Sequence, residues 1–334
     1  MDLIIKPTQR CNFGCTFCSS NNIKEDKNEL SLELLLDYID THDINTIIVN
    51  GGDPLMMPPS YYEAILDKLD SQGKGATLSF TSNLWDFWLH PDKWTPLFRR
   101  ERMGVCTSFQ YGGERRLADG RPFTEEMFRK IHALFEEKVG YKLSFICVIT
   151  EKNEDTALKT VELAKSLGCT VKMNPVCASG RSTYYYPLYK MLNIYMDIIE
   201  AGLAKYEFNS NILQSLYNGH PNCCPWSRTC YKGIRCLSPD GTEHTCGSFN
   251  DDYIIAKKEG KKTYALNEYP IDEIARDHRV LTNKCLGCEA FLLCNSCYKR
   301  IKDIKAVGNE QEHCANMQAV KERMKKLFTP CTSE

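Results

Sequence analysis

Three cysteines within eight residues stand almost at the start of the chain, directly after a short apolar run at residues 3–5. They are Cys11, Cys15 and Cys18, so three residues separate the first pair and two separate the second. A tetrahedral zinc ion would need a fourth protein ligand nearby, whereas a 4Fe-4S cluster held by three cysteines leaves one iron open to a small molecule. The first histidine, His42, lies well beyond this loop. The spacing therefore favours a cluster with one open iron.

From the cysteine content, the length and the first residues we do not expect a secreted disulfide protein. The chain has 334 residues and 18 cysteines, whereas disulfide-rich secreted proteins are short and begin with a signal peptide, and the first residues here have an apolar run of only three with a charge on either side. No apolar run is long enough to span a membrane. The net charge of -1 gives no general basic surface for nucleic acid or membrane. We expect a cytoplasmic protein of a reducing, anaerobic cell that binds metal clusters and has no nucleic-acid or membrane partner.

Residues 1–180 alternate between strand and helix patterns. Buried strands are predicted at residues 3–7, 46–50, 76–80, 104–109, 142–149 and 170–174. Amphipathic helices are predicted between them, from residue 31 and at 60–69, 91–100, 124–138 and 153–167. Six alternations predict the α/β class, as a partial (β/α)6 parallel barrel whose site lies at the carboxyl ends of the strands.

Polar and glycine residues stand where these strands end. They are Gly51, Gly52 and Asp53 after the second strand, Ser82 and Asn83 after the third, Ser108 at the end of the fourth and Asn174 at the end of the sixth. Since the carboxyl ends of parallel strands meet at one edge, these residues are candidates for binding a ligand there. Each position is also compatible with an ordinary turn.

The last hundred residues hold a second set of cysteines. They are Cys230, Cys236, Cys246, Cys285, Cys288, Cys294, Cys297 and Cys314. Asp240-Gly241 predicts a hairpin turn between the second and third of them. The two Cys-x-x-Cys pairs are compatible with zinc ribbons, but beside the N-terminal loop they favour further iron-sulfur clusters.

These motifs resemble those of the radical S-adenosylmethionine (SAM) superfamily with a C-terminal SPASM domain, over nearly the whole chain. The resemblance implies a partial barrel at 1–180, a helical bridge at 181–229 and a small cysteine-rich iron-sulfur domain at 230–334. The chain departs from the family pattern in three places. Asp53 replaces a glutamate, Ser108 is followed by Phe-Gln-Tyr instead of x-Asp-Gly, and two residues instead of three separate Cys294 from Cys297.

The resemblance also implies roles for the candidate residues. Cys11, Cys15 and Cys18 would hold the SAM-binding cluster beside Phe17, and the strand-end residues would contact SAM. Gly51 and Gly52 would let the main chain approach the ammonium group of SAM. Among four nearby arginines, Arg121 is preferred as the partner of the SAM carboxylate. Two auxiliary 4Fe-4S clusters would be held by Cys230, Cys236, Cys246 and Cys297, and by Cys285, Cys288, Cys294 and Cys314.

The function implied is hydrogen-atom abstraction from a ribosomally made peptide by a 5'-deoxyadenosyl radical, giving a crosslink, excision or splicing, or epimerisation. Gly247 follows Cys246 where sulfatase-maturing relatives have an aspartate, which argues against that reaction. The expected partners are a flavodoxin- or ferredoxin-type reductant and a separate leader-recognition protein. The alternatives are a non-catalytic iron-sulfur or zinc electron-transfer or binding protein, and a radical SAM enzyme that acts on a small molecule.

Overall fold

The computed structural model describes residues 1–19, 28–178, 182–218, 224, 226–227, 230–247, 254–259, 262–265, 285–294 and 297–329. The chain divides into two compact units. Unit 1 comprises Met1–Ile146, Ser179–Thr183 and Tyr231–Tyr269, and unit 2 comprises Cys147–Ala178, Tyr184–Cys230 and Pro270–Glu334.

Parallel strands form the centre of unit 1. In spatial order they are β1 (Asp2–Ile5), β2 (Thr46–Val49), β3 (Thr77–Thr81), β4 (Met103–Ser108) and the first residues of β5 (Phe145–Ile149). Their register pairs Ile5 with Val49, and Val49 with Phe80. Every second residue of β1 to β3 is buried, as a sheet with one covered face requires. Because these strands run in the same direction, their carboxyl ends share one edge, which places the strand-end residues together.

Helices connect these strands. They are α1 (Leu32–Thr41), α2 (Pro59–Ser71), α3 (Trp85–Leu89), α4 (Pro91–Phe98) and α5 (Glu125–Val139). The predicted start of α1 is confirmed, because the Ser31 hydroxyl accepts a hydrogen bond from the Leu34 main chain (3.3 Å) and caps the helix. The short helix α3 has no counterpart in the sequence prediction. It begins after Leu84, whose φ of 59° is in the left-handed region.

A second group of strands extends the sheet beyond β1. The single turn α10 (Cys230–Gly233) precedes β7 (Ile234–Leu237), which pairs in parallel with β1 and sets Cys236 opposite Ile4. Strands β8 (Thr242–His244), β9 (Ile254–Glu259) and β10 (Lys262–Ala265) follow in antiparallel order. The predicted turn is confirmed: Gly241 has a φ of 80°, and Asp240 accepts hydrogen bonds from Thr242.

Unit 2 contains the last residues of β5 with β6 (Val171–Pro175) beside them. Its longer helices are α6 (Ala157–Leu167), α7 (Leu188–Glu200), α12 (Tyr298–Val307) and α13 (Glu310–Phe328), and its short ones are α8 (Phe208–Asn211), α9 (Leu213–Tyr217) and α11 (Phe291–Cys294). Arg323 of α13 donates to Asp197 (2.6 Å) and Glu200 (2.8 Å) of α7, so these bonds fix the C-terminal helix to α7.

The predicted α/β class is confirmed, with a parallel sheet of the partial-barrel type and a cysteine-rich C-terminal region. The predicted strand and helix positions match the observed ones to within a few residues. In the part of the chain that the structure describes, no helix is both long and apolar enough to cross a membrane.

Candidate active site and thiol groups

The loop with Cys11, Cys15 and Cys18 leaves the carboxyl end of β1 and is held along its length by the segment 114–118. This segment follows β4 and runs antiparallel to the loop. Its main-chain hydrogen bonds are Gly14 N to Arg116 O (2.8 Å), Thr16 N to Glu114 O (3.1 Å) and Ala118 N to Asn12 O (3.0 Å). Because these bonds lie on both sides of Cys15, they fix the backbone that presents the thiols.

Gly51 and Gly52 pack against the same loop from the other side. A Cβ atom on Gly52 would lie 2.1 Å from the Arg10 carbonyl oxygen, and one on Gly51 would lie 2.5 Å from that of Thr8. Gly51 also has a φ of 120°. The family resemblance explains these glycines by the approach of a ligand. The structure gives a different reason, since the close neighbour is the chain itself just before Cys11.

Asp53 is buried and joins the ends of β2 and β3. Its carboxylate accepts hydrogen bonds from the main chain of Leu55 (3.0 Å) and of Asn83 (2.8 Å), and from the Ser82 hydroxyl (3.0 Å). Burial raises the pKa of Asp53 to about 6, and the hydrogen bonds only partly oppose this. The Ser82 hydroxyl also accepts from Leu84 N (2.9 Å), so both side chains brace the strand ends.

Asn83 connects this network to the cysteine loop. Its amide nitrogen donates to Asn12 Oδ1 (2.7 Å) and lies 3.8 Å from Cys11 Sγ. Burial raises the pKa of the Cys11 thiol well above its usual range, and the negative charges of Asp53, Cys15 and Cys18 raise it further. The structure therefore brings the three predicted thiols together. Such thiols ionise when a cation binds them, so this donor set fits an iron cluster.

Phe17 and Arg115 pack together beside the loop. The Arg115 guanidinium lies 5.5 Å from the centre of the Phe17 ring. Arg115 is buried, and its Nε has no hydrogen-bond partner. Arg121, the arginine preferred on sequence grounds, lies instead on the surface: its side chain is 68% exposed and pairs with Asp119 (2.7 Å). Arg115 is therefore the arginine with an unused donor next to the cysteine loop.

Gln110 lies two residues after the half-buried Ser108, the last residue of β4. Its side chain is buried, yet neither its amide nitrogen nor its amide oxygen has a hydrogen-bond partner. Leaving both atoms unpaired in the interior costs about 1–3 kcal/mol for each group. A buried carboxamide at the carboxyl edge of the sheet thus has the properties of a group that pairs with a ligand.

The second predicted auxiliary set is brought together in unit 2. The charges of Cys314, Cys285 and Cys288 all act on Cys294, and burial is the main cause that raises the pKa of Cys294 to about 12. Two polar side chains of α13 also contact this set. His313 Nε2 lies 3.1 Å from Cys294 Sγ, and Gln318 Nε2 lies 2.9 Å from Cys288 Sγ. The sequence alone points to neither residue.

The first predicted auxiliary set is divided between the units, with Cys230 and Cys297 in unit 2 and Cys236 and Cys246 in unit 1. Cys236 lies within β7, and the charged groups acting on it are Lys6 and Glu243. Burial raises the pKa of Cys297 to about 11, and the charge of Cys224 raises it further.

The pKa of Cys224 in turn is raised by burial of its thiol and by the charges of Cys230 and Cys177. Within unit 2 the thiols near Cys230 and Cys297 therefore include Cys224, which has no place in the ligand sets that the family resemblance implies.

Cys177 and Asn174 lie around the end of β6. The main chain on both sides of Cys177 is held by α12, since Arg300 donates to the carbonyls of Pro175 and Val176, and Lys299 to that of Ala178 (2.8 Å). Asn174 Oδ1 is buried without a hydrogen-bond partner.

Among the residues with described positions, no three His, Cys, Asp or Glu side chains are close enough to hold a single metal ion.

Residues 5–164 match the model of the radical SAM superfamily. The match begins at the last residue of β1 and contains β2 to β5, the cysteine loop and the segment 114–118 that holds it. This part of the chain, somewhat less than half of it, therefore resembles the radical SAM superfamily, a class that uses SAM and a 4Fe-4S cluster. The comparison with curated proteins found no match.

Solved structures share the fold over most of the chain. Native anSMEcpe with bound AdoMet superposes with a TM-score of 0.68 at 15% identity, covering 96% of this chain and 99% of its own. Native anSMEcpe with AdoMet and Cp18Cys peptide gives 0.66 at 15% identity, covering 97% and 99%. Streptococcus suis SuiB bound to its precursor peptide SuiA gives 0.62 at 16% identity, covering 89% and 72%. At these identities the likeness establishes the fold.

Proposed function

We propose that this chain is a radical SAM enzyme and that it modifies a ribosomally made peptide by abstracting a hydrogen atom from it. The observation that carries the proposal is the group of three thiols, fixed by the segment 114–118 on one side and by Gly51 and Gly52 on the other. Cys11, Cys15 and Cys18 would hold a cluster, and the chemistry it would supply is one electron for cleavage of SAM to methionine and a 5'-deoxyadenosyl radical.

Arg115, in place of Arg121, binds the carboxylate of SAM. A guanidinium can make two parallel hydrogen bonds to a carboxylate, and the free Nε of Arg115 is available for one of them. Phe17 supports the guanidinium by packing against it. Gln110 offers a donor and an acceptor to SAM or to the peptide at the carboxyl edge of the sheet. Asn83, Ser108 and Asn174 keep their predicted role as SAM contacts, whereas Asp53 and Ser82 hold the strand ends in place.

The auxiliary sites use two groups of thiols. One 4Fe-4S cluster is held by Cys285, Cys288, Cys294 and Cys314. This is supported by the pKa values of Cys294 and Cys314, which are raised by burial and further by the charges of these cysteines. For the other cluster we assign Cys224, Cys230 and Cys297, with Cys224 in place of Cys236. The prediction of Cys246 as a further ligand stays a prediction. Fully ligated clusters pass electrons and do not bind substrate.

The peptide substrate is supported by two of the structural neighbours, anSMEcpe with Cp18Cys peptide and SuiB with its precursor peptide. The reaction class stays open between crosslinking, excision or splicing, and epimerisation. A flavodoxin- or ferredoxin-type reductant, a separate leader-recognition protein and an anaerobic cytoplasmic location complete the proposal.

Anaerobically purified protein tests the proposal. We expect about twelve irons per chain, from three 4Fe-4S clusters. Incubation with dithionite, SAM and short peptides encoded beside the gene should release 5'-deoxyadenosine and change the mass of one peptide. Loss of two hydrogens would identify crosslinking, a larger loss excision, and deuterium uptake from heavy water epimerisation. Colourless, zinc-loaded protein that leaves SAM intact would contradict the proposal and favour a binding module.

A further inference from the structure

Two side chains of helix α13 contact sulfur atoms of the second auxiliary set. The His313 ring is buried, with 2% of its surface exposed, and its Nε2 lies 3.1 Å from Cys294 Sγ. Gln318 is on the exposed side, and its Nε2 lies 2.9 Å from Cys288 Sγ. Cys314, a predicted ligand, stands four residues before Gln318 and therefore on the same face of the helix. One helix thus supplies a thiol and two nitrogen groups to one site.

The direction of these contacts follows from the chemistry of the groups. A cysteine sulfur that ligates iron carries no proton and can only accept a hydrogen bond. The Gln318 amide nitrogen can only donate, and the imidazole donates when Nε2 carries the proton. When the sulfurs ligate iron, both contacts are therefore N–H···S hydrogen bonds, with the nitrogen as donor and the sulfur as acceptor. Hydrogen bonds to ligand sulfurs are one of the factors that set the potential of an iron-sulfur cluster.

We propose that His313 and Gln318 are positioning residues that raise the reduction potential of the second auxiliary cluster through hydrogen bonds to Cys294 and Cys288. The inference rests on the proposed function, since it needs a cluster at this site. Reduction adds one negative charge, which spreads onto the ligand sulfurs. A donor aimed at a sulfur stabilises the reduced state more than the oxidised state, so the cluster accepts an electron more readily.

The test is an anaerobic redox titration of the holoenzyme followed by electron paramagnetic resonance (EPR). Cys11, Cys15 and Cys18 are replaced by alanine to remove the N-terminal signal, and a Cys314→Ser variant assigns the signal of the second auxiliary cluster. The variants compared are His313→Phe, which removes the donor, His313→Gln, which restores an N–H, and Gln318→Leu. The control is His132→Phe, because His132 is also a buried histidine but its Nε2 contacts the Leu143 carbonyl (3.1 Å), not a sulfur.

We expect His313→Phe to lower the reduction equilibrium constant at least tenfold, which is about 59 mV for one electron. Gln318→Leu should lower it by a smaller factor, and His313→Gln should recover most of the loss. The control should leave the potential unchanged. Since Gln318 is exposed, its variant keeps the test decisive if His313→Phe does not fold.

Three results distinguish a failure of this inference from a failure of the proposed function. An unchanged potential in both His313→Phe and Gln318→Leu, with the cluster present, overturns the inference and leaves the proposed function intact. Loss of iron in a His313→Phe protein that is still folded, together with an unchanged potential in Gln318→Leu, would make His313 an iron ligand, which also overturns it. Absence of any iron-sulfur cluster from the second set in the parent protein would refute the auxiliary-cluster part of the proposed function itself.

Discussion

The Asp53 carboxylate accepts a hydrogen bond of 2.8 Å from the main-chain N–H of Asn83, and this bond joins the end of β2 to the end of β3. The Asn83 side chain continues the connection by donating to Asn12 in the cysteine loop (2.7 Å). The Gly-Gly-Asp segment and the three thiols are therefore parts of one hydrogen-bonded network. We predict that the loop can hold a cluster only while this network is intact.

Replacing Asp53 by asparagine should destabilise the protein by about 1–3 kcal/mol, because the new amide group turns a donor toward groups that donate to the carboxylate. Denaturant unfolding of the anaerobic protein measures the change. Asp119→Asn is the matched control, since Asp119 pairs with the exposed Arg121 and surface pairs contribute little. Equal stability of the two variants would contradict the role assigned to Asp53.

Gly52→Ala should lower the iron bound at the N-terminal site. A methyl group at this position would meet the Arg10 and Gln9 carbonyl oxygens at 2.1 and 2.3 Å, so the loop before Cys11 must shift. Gly75→Ala is the control, because a Cβ there has no neighbour within 4 Å. Iron content and EPR intensity of the two variants give the comparison. A normal cluster signal in Gly52→Ala would show that this close approach is dispensable.

Arg115→Met should weaken SAM binding at least tenfold, about 1.4 kcal/mol, because the carboxylate would lose its charged partner. Arg115→Lys should recover part of the affinity, since it keeps the charge without the planar fork. Anaerobic calorimetry with the cluster-loaded protein measures the affinity. Arg121→Met, at the exposed arginine, should bind like the parent protein. The opposite pattern would return the role to Arg121.

Cys224→Ser should remove about four irons per chain, whereas Cys236→Ser should remove none, since one auxiliary cluster depends on Cys224 in our assignment. The buried position of Cys236 beside Lys6 and Glu243 is that of a small core side chain. Iron and sulfide analysis of the two variants decides between them. Iron loss in Cys236→Ser alone would restore the ligand set predicted from the sequence.

The barrel strands could be predicted from the sequence because their signals are local. Short apolar runs place β1 and β2, and Ser31 and Thr124 cap the helices that they were predicted to begin. The grouping of strand-end residues followed from the rule that parallel strands share a carboxyl edge. The structure adds that Asp53 and Ser82 bond to each other, so their contribution is to hold the edge together.

Other features had no local signal. The segment 114–118 meets the cysteine loop about one hundred residues away through a few antiparallel bonds, and no periodicity marks such a contact. Five residues separate Cys230 from Cys224 on one side and from Cys236 on the other, so spacing alone could not rank them. Arg115 and Arg121 are similar candidates in sequence, and only burial and the Asp119 partner distinguish them. The N–H groups of His313 and Gln318 could not be identified from the sequence, because their role depends on the positions of the Cys294 and Cys288 sulfurs.

The most direct test of the account is double-resonance EPR on the reduced N-terminal cluster, in a variant whose auxiliary ligands Cys230 and Cys288 are replaced by serine. We predict that SAM labelled at its amino nitrogen and carboxylate oxygen couples magnetically to this cluster, and that warming the sample yields 5'-deoxyadenosine. A spectrum that SAM leaves unchanged, with no 5'-deoxyadenosine formed, would contradict the claim that Cys11, Cys15 and Cys18 hold a cluster with one open iron.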